Sequence, residues 1–469
     1  MSIGHSGIDK EIIKEVLSKD GVKIYFIGIG GIGMSAIASL CIERGYSVFG
    51  SDRCESETTR ALCMQGAVIE YAQIGTNIIN SLPDIAVYSL SIDVTNPEYI
   101  KCTELDIPVV SRAEFLGTLM LDYKTRIGIS GSHGKSTVTA MIASTLLLAG
   151  KKPTVIGGAP ICGTGAYLKG GREYFVYEAC EYRDSFLHFS PSVEVLLNLD
   201  LDHTDYFENM ESIKSSFAAA AQLASMYTVV NGDDKNLSSA LSNISVPISR
   251  FSGDVGDYSY KTESENSGFY TFSLYKDNNY IETFSLSVPG AFNVENAVAA
   301  AVTLIKLGIK TDVIKTALSE FRGIPRRMEH IGSFLGKPVF YDYAHHPKEI
   351  RAVRCALQDM GYSYIAAIFC PHTYSRTATL FDEFARELAE FSYTVITDIY
   401  PAREAPIEGI TSAALAGRIT ELGANSSATS ESSALCYLKR MNFDCLVLMG
   451  AGNLDFVYSA ITENKKGKK

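Results

Sequence analysis

At 469 residues, with 46% hydrophobic and 20% charged side chains, the chain is too long for one core and has the makeup of a globular protein of two or three domains. Its formal net charge of −11 argues against non-specific binding to nucleic acid or to an anionic membrane, so any anionic ligand must be met by local basic residues and helix ends. No run of about 18 apolar residues occurs and no secretory leader is read at the start, so no stable membrane insertion is expected; ten scattered cysteines without a Cys-x-x-Cys pair suit reduced thiols in a cytoplasm.

Taken in chain order, residues 1–124 alternate short apolar runs with helical patterns. Val22–Gly28 reads as a strand, Gly33–Arg44 as a helix, and Tyr46–Ser51 and Asp84–Leu90 as further strands. That alternation predicts a parallel sheet with helices on its faces. Residues 125–325 form a second unit. Thr137–Leu148 has helical spacing and stops at Gly150, and strands follow at Glu173–Ala179 and Val193–Leu199. Between about 245 and 290 Ser, Tyr, Asn and Gly alternate with apolar residues, which reads as hairpins. Helices are expected at Asn293–Leu307 and Asp312–Phe321. Residues 326–469 form a third unit. It has strands at Val339–Tyr343, Tyr364–Cys370, Tyr393–Ile399 and Cys445–Gly450, and helices at Glu349–Met360 and Leu380–Phe391. Lys465–Lys469 is expected to be a frayed, solvated tail. The expected fold is therefore α/β in three domains.

The most informative stretch is Thr125–Thr137, where an apolar strand runs through Gly131-Ser132-His133-Gly134-Lys135-Ser136-Thr137 into a helix. Backbone N–H groups of such a turn and of the helix start face an anion. Lys135 is placed to reach the terminal phosphates of a nucleoside triphosphate, and the Ser136 hydroxyl to ligate Mg²⁺. The standard phosphate loop has a glycine five positions before Gly134; Ile129 stands there, so the loop is a shorter variant.

A second glycine loop, Gly28-Ile29-Gly30-Gly31-Ile32-Gly33, follows a strand and opens a helix, with Asp52 at the end of the next strand. The pattern suits a pyrophosphate, and by itself does not choose between a dinucleotide and a UDP-sugar. Hydride transfer has no use for a second, ATP-type loop, which weighs against a nicotinamide enzyme. Tyr177–Glu181 and Asn198–Asp205 end strands with carboxylates, where a metal ion is held opposite a phosphate loop. Exposed acids are the bland alternative. Arg326-Arg327 suits phosphate or carboxylate recognition, or a solvated linker. Asp342, His345, His346 and Lys348, with His372 and Arg376, lie at two strand ends of the third unit, the edge at which open α/β sheets bind ligands.

Together these motifs resemble the Mur ligase family over nearly the whole chain, and within it the alanine-adding branch. The resemblance rests, in order, on Gly28–Met34, Ser111-Arg112-Ala113-Glu114, Gly131–Thr137, Glu178–Glu181 with Ser185-Phe186-Leu187-His188, and Asp202-His203. It continues through Asn293–Asn296, Arg326-Arg327, Asp342–Pro347, Pro371–Arg376 and Glu404-Ala405-Pro406-Ile407. It implies an N-terminal Rossmann-like domain for a UDP-sugar, a central P-loop ATPase-like domain and a C-terminal Rossmann-like domain for the amino acid. The implied reaction joins L-alanine to the lactyl carboxylate of UDP-N-acetylmuramate through an acyl phosphate, with ATP as co-substrate and Mg²⁺ as cofactor. By resemblance Gly30, Gly31, Ile32, Gly33, Asp52, Arg112 and His188 serve the UDP-sugar. Gly131 to Thr137, Asn296, Arg327 and Asp342 serve ATP; Ser136, Glu178 and His203 serve the metal; His345, His346 and Arg376 serve the amino acid. Lys135, Glu178, His203, His346 and Arg376 are the implied catalytic set. Four positions depart from the family pattern: Ser136 replaces a threonine, Phe292 a histidine, Thr373 an arginine and Cys180 an aspartate. Rival readings are a ligase that recycles murein peptides onto the same UDP-sugar, a catalytically silent relative that binds UDP-muramyl precursors, and an NAD-dependent dehydrogenase. Whether the protein is a monomer or a homodimer is left open by the sequence.

Overall fold

The structure, a computed structural model, describes residues 10–161, 163–203, 206–254, 256–452 and 454–466. Thr204 and Asp205 of the acidic stretch and the last three residues lie outside it. The backbone of Lys465 and Lys466 closes the helix Asp455–Lys466, where a frayed tail is expected from sequence. By its contacts the chain divides into two bodies. One comprises the chain up to Asp200 with Ile213–Arg250 and Val302–Ile309; the other comprises Leu201–Ser212, Phe251–Ala301 and the chain from Lys310 onward.

The first body holds two sheets. In the N-terminal one, five parallel strands run in the order Val68–Glu70, Ser47–Ser51, Lys23–Ile27, Ile85–Tyr88, Val109–Ser111. The chain order reverses between Lys23–Ile27 and Ile85–Tyr88, which opens a crevice at the carboxyl ends of the strands. The glycine loop at Gly28 leaves from that point. In the second sheet Tyr227–Asn231, Val193–Leu196, Thr125–Ser130, Tyr174–Glu178 and Thr154–Ile156 lie side by side and parallel, and Tyr167–Leu168 closes the edge antiparallel. The phosphate loop therefore leaves a central strand, with Glu178 at the end of the strand beside it. The helix Lys135–Leu148 that follows is buried along most of its length, as its unbroken small and apolar sequence requires.

In the second body, Tyr258–Asn266, Phe269–Lys276 and Asn279–Ser285 form the hairpins expected from the alternating composition. The C-terminal sheet has six strands, in the order Glu329–Phe334, Lys337–Asp342, Cys445–Met449, Ile365–Phe369, Tyr393–Ile396, Ser426–Ala428; only the first is antiparallel. Alternate residues of its central strands feed two cores. Phe340, Ala367, Phe369 and Val447 pack on one side with Ile350, Val353 and Phe384. Val339, Ala366, Ile368 and Leu446 pack on the other with Val457 and Ile461. Burial on both faces is the reason these strands read as unbroken apolar runs. The helix expected over Leu380–Phe391 is Phe381–Ala389; a short helix the sequence reading did not expect, Tyr374–Thr379, precedes it, the two parted where the chain leaves helical geometry at Leu380. Strands Glu329–Phe334 and Ser426–Ala428, absent from the sequence reading, are polar edge strands with too few apolar residues to signal themselves.

Candidate functional site

The first glycine loop is built from the backbone outward. Gly28 adopts φ 80°, which a side chain rarely tolerates. The Gly28 and Ile29 amides each donate to the Ser51 carbonyl at 2.9 Å. Asp52 Oδ2 accepts from the Gly30 amide at 2.7 Å, so this carboxylate braces the loop rather than projecting from it. The helix Ile32–Glu43 starts at Gly31 without a side-chain cap, leaving its first amides to face outward. Ser111-Arg112-Ala113-Glu114 is a capping box: Ser111 caps the helix Arg112–Leu119, and Glu114 reaches back to the Ser111 amide at 2.7 Å. The box sets Arg112 against Gly33, where an added Cβ would lie 3.1 Å from Arg112 Nη1. No carboxylate is within ion-pair distance of Arg112 among the described residues. Burial lowers its pKa, and the nearby Cys180 opposes that shift. A sheltered guanidinium of this kind suits an anion. His188 ends the turn Tyr182–His188, which packs so closely on the helix Arg112–Leu119 that a Cβ on Gly117 would overlap the His188 carbonyl.

The phosphate loop passes through Gly131 at φ 144° and Gly134 at φ 86°. Lys135 Nζ folds back onto the Gly131 carbonyl and lies 3.1 Å from Glu181 Oε2. Burial works to lower the Lys135 pKa, but the Glu181 carboxylate outweighs it and the net shift is upward. The Ser136 hydroxyl donates to Glu178 Oε2 at 3.0 Å, and Glu178 Oε1 accepts from the Gly158 amide at 2.6 Å. A hydroxyl beside a carboxylate fits Mg²⁺, which takes one or two protein oxygens and completes its shell with phosphate and water. Behind the loop, Asn198 Oδ1 accepts from the His133 amide at 2.8 Å, Ser132 Oγ accepts from the Asp200 amide at 2.9 Å, and His133 Nε2 lies 3.2 Å from Asp200 Oδ2. Thr137 is buried in the first helical turn.

The second body carries the remaining expected residues. Arg376 donates to Asp202 Oδ1 at 2.8 Å and lies 3.2 Å from His372 Nδ1. Burial alone would raise the Asp202 pKa; Arg376 and His203 overcome it and hold the carboxyl well below the usual range. His203 stands next in the chain at φ 52°, its amide donating to Asp202 Oδ1 at 2.7 Å. Burial, with Arg376 beside it, pushes His372 down to about 4, and burial likewise lowers His345. Both rings are therefore neutral at physiological pH. The His345 amide donates to Glu349 Oε2 at 2.9 Å, and its Nδ1 lies 2.9 Å from the Tyr343 carbonyl. His346 is the cap of the helix Pro347–Asp359, its Nδ1 accepting from the Lys348 amide at 3.3 Å. Asp342 accepts from the Met328 and Ala344 amides, each at 2.8 Å, and so pins the turn in which Arg326 and Met328 hold φ 59° and 46°. Burial pushes Asp342 up to about 6, against the pull of Arg327.

The two linker arginines separate. Arg326 sits 4.8 Å from both the Tyr341 and Tyr343 ring centres and donates to the Gly450 carbonyl at 3.1 Å, so it is neither a solvated linker residue nor a free phosphate ligand. Arg327 stays partly open, 3.6 Å from Glu349 Oε1. Asn296 is buried and donates to Asn293 Oδ1 at 3.0 Å, with Phe292 partly buried one turn back. A cavity of about 580 Å³ opens beyond the sheet's carboxyl edge, among Tyr374, Asp398, Ile407, Thr411 and Ser430.

The acidic stretch does not gather as one metal cluster. Asp200 faces His133 in the first body and Asp202 pairs with Arg376 in the second. Among the described residues no group of three or more His, Cys, Asp or Glu side chains is arranged to hold a metal ion. The partner carboxylates Glu181 and Glu349, and the Asp202–Arg376 pair, are what sequence reasoning did not assign. The signal for the first was its place in the acidic strand end Tyr177–Glu181; Glu349 lies one helical turn from His345, and Asp202 and Arg376 are 174 residues apart in the chain.

Residues 23–124 match the Mur ligase family catalytic domain, 129–304 the Mur ligase middle domain and 326–452 the Mur ligase glutamate ligase domain. The chain is 40% identical over 441 residues to a UDP-N-acetylmuramate–L-alanine ligase of Caldicellulosiruptor bescii, covering 92% of this chain and 96% of that protein. A Clostridium acetobutylicum protein of the same name is 39% identical over 449 residues, covering 94% and 97%. Among solved structures, the UDP-N-acetylmuramate–alanine ligase of Thermotoga maritima superposes with a TM-score of 0.81 at 27% identity, covering 95% of this chain and all of that one. A murein peptide ligase of Psychrobacter arcticus shares the fold, with a TM-score of 0.70 at 23% identity over 96% and 99% of the two chains. With all three family domains in order along its length, the chain belongs to the Mur ligase family.

Proposed function

We propose that the protein is an ATP-dependent ligase that joins L-alanine to the lactyl carboxylate of UDP-N-acetylmuramate, giving UDP-N-acetylmuramoyl-L-alanine, ADP and phosphate for peptidoglycan synthesis. The observation that carries this is the phosphate loop, with Lys135, Ser136 and Glu178 gathered at one strand edge, in a chain 40% identical along nearly all its length to an alanine-adding ligase. Residues 1–124 would bind the UDP-sugar, 125–325 ATP, and 326–469 the amino acid together with ATP.

A carboxylate is a poor acylating agent. Transfer of the γ-phosphoryl group to the lactyl carboxylate gives an acyl phosphate with a good leaving group; the L-alanine amine then attacks its carbonyl and phosphate departs. Lys135 neutralises charge on the phosphates as it moves, once it exchanges Glu181 for them. Ser136 and Glu178 would hold Mg²⁺, with His203 assigned to a second ion; when bound, the metal supplies Lewis-acid stabilisation of the phosphoryl oxygens. Arg112 and the Gly30–Gly33 loop, through the uncapped amides at the start of its helix, receive the UDP-sugar's anionic groups, with His188 in the turn beside them. Arg376, anchored by Asp202, and His345, anchored by Glu349, face the incoming amino acid; His346 sets the start of their helix. Arg327 and Asn296 are assigned to ATP, and Asp342 supports that face by fixing the Arg326–Met328 turn.

The murein-recycling reading is disfavoured because the relatives at 39–40% identity along nearly the whole chain carry the alanine-adding name. The catalytically silent reading is disfavoured by the intact Lys135, Ser136, Glu178, His203 and Arg376. The nine described cysteines are free thiols, which with ATP as substrate supports residence in the cytoplasm. No helix among the described residues is long and apolar enough to cross a membrane. The test is isotopic. UDP-N-acetylmuramate labelled with ¹⁸O in its carboxylate should deliver one ¹⁸O to the released phosphate; unlabelled phosphate at full turnover would exclude the acyl phosphate.

A further inference from the structure

An acid lies buried inside the sheet that carries the phosphate loop, and the reaction as described makes no use of it. Glu194 interrupts the apolar strand Val193–Leu196 and is 2% exposed. Its side chain fills the space left open by Gly128 on the neighbouring strand, where an added Cβ would overlap Glu194 Oε2. Its Oε1 is hydrogen-bonded to the Ser130 hydroxyl, and that hydroxyl also lies 3.3 Å from the Ala179 carbonyl. Ser130 is the last residue before the phosphate loop. Ala179 lies between Glu178, which bonds Ser136, and Glu181, which pairs with Lys135. One hydroxyl thus joins the buried acid, the start of the loop and the acidic strand end opposite.

We propose that Glu194 is a positioning residue for ATP, acting through Ser130 to lock the phosphate loop to the Glu178–Glu181 strand end; this rests on the ATP-dependent reading above. The lock follows from counting protons. With Glu194 protonated, its O–H donates to Ser130 Oγ and the Ser130 O–H is free to donate to the Ala179 carbonyl. With Glu194 ionised, it has no proton to give; the Ser130 O–H turns to the carboxylate and the Ala179 carbonyl loses its donor. Burial pushes the acid up to about 8, with the Ser130 hydrogen bond opposing, so the locked state prevails at neutral pH. The other groups facing the carboxyl are Tyr177, whose buried hydroxyl crowds the same gap at Gly128, and Thr228, its register partner on Tyr227–Asn231; neither hydroxyl has a hydrogen-bond partner among the described residues. The cation on this side, Arg126, acts on Tyr177 and is held by the Ser190 and Tyr123 carbonyls.

The experiment compares Glu194→Gln, Glu194→Leu and Ser130→Ala with wild type in kcat/KM for ATP between about pH 6 and 9.5, alongside fluorescent-ATP binding and thermal melting. The glutamine amide donates permanently to Ser130 Oγ and mimics the protonated acid. The expected result is that E194Q matches wild type at pH 7 but lacks its fall above about pH 8, and melts higher than wild type there because no charge is buried. E194L and S130A should each lose roughly ten-fold in kcat/KM for ATP, and the double variant no more than either alone. KM for the UDP-sugar and for L-alanine should not move. An alkaline limb that persists in E194Q, or an E194L variant that folds and keeps wild-type kcat/KM, would overturn the proposal. Wild-type protein that binds ATP but turns nothing over would instead overturn the ligase reading, with the E194L effect still readable in ATP binding.

Discussion

Replacing Lys135 with alanine should damage the protein twice, and the two losses can be separated. Lys135 is 17% exposed and its partner Glu181 only 1% exposed. Deleting the ammonium removes the cation paired with a carboxylate in a dry site, which costs about 3–5 kcal/mol of stability. In a body of this size each kcal/mol moves Tm by about 2–4 °C, so a fall of about 6–20 °C is expected. The sign with pH is fixed by the raised Lys135 pKa. The pair's contribution is fully present below the unfolded lysine value of about 10.4 and is lost as pH rises through the higher folded value, so an assay near pH 8 lies within the window. Turnover should fall by about 10²–10³, as for loss of a donor aimed at developing charge. The double variant Lys135→Ala, Glu181→Gln removes both charges and should recover most of the Tm but none of the turnover. Calorimetry and phosphate release, run on both variants, report the two losses independently. A single variant that melts like wild type would refute the buried-pair reasoning. A double variant that regains turnover would refute the phosphate role of Lys135.

Four further perturbations probe other parts of the site. Glu178→Gln removes the carboxylate 3.0 Å from the Ser136 hydroxyl and should raise the Mg²⁺ concentration for half-maximal rate by roughly ten-fold or more; an unchanged metal titration would count against that pair. Gly33→Ala sets a methyl 3.1 Å from Arg112 Nη1, and the resulting overpacking of about 1–3 kcal/mol should appear as a raised KM for the UDP-sugar with KM for ATP unmoved. Arg376→Ala strands Asp202, which is depressed in the folded state, so the variant should lose the stability that wild type holds above the unfolded aspartate value of about 3.9; adding Asp202→Asn should restore the melt while KM for L-alanine stays high. Asp342, raised to about 6, does the opposite: stability falls as pH climbs from about 3.9 through 6, and Asp342→Asn should flatten that slope in pH-dependent melts.

What the sequence made legible was what is local. The turn from strand Thr125–Ser130 into helix Lys135–Leu148 is encoded within a few residues, as is the capping box that delivers Arg112. The α/β class followed from apolar runs alternating with helical spacing, and the hairpins from their change in composition. What stayed hidden joins residues far apart in the chain or contradicts local chemistry. Asp202 and Arg376 lie 174 residues apart and meet only in the folded body. Three aspartates in one short stretch suggested a shared ion, yet successive residues leaving a strand end point different ways, and each described acid takes its own partner. Arg326 read equally as an anion ligand or a solvated linker charge, because nothing local reveals that Tyr341, in strand Lys337–Asp342, and Tyr343, just past its end, close over it. His346 looked like a reacting group and is also a helix cap, a role that the following proline signals once the helix is placed.

The most direct test of the central claim is phosphate release from ATP and Mg²⁺ by the purified protein, with UDP-N-acetylmuramate present and L-alanine, L-serine, glycine or a murein tripeptide supplied in turn. The account predicts release that requires the UDP-sugar and an amino acid together and is fastest with L-alanine. Release only with the tripeptide, or none at all while the UDP-sugar still binds, would contradict it.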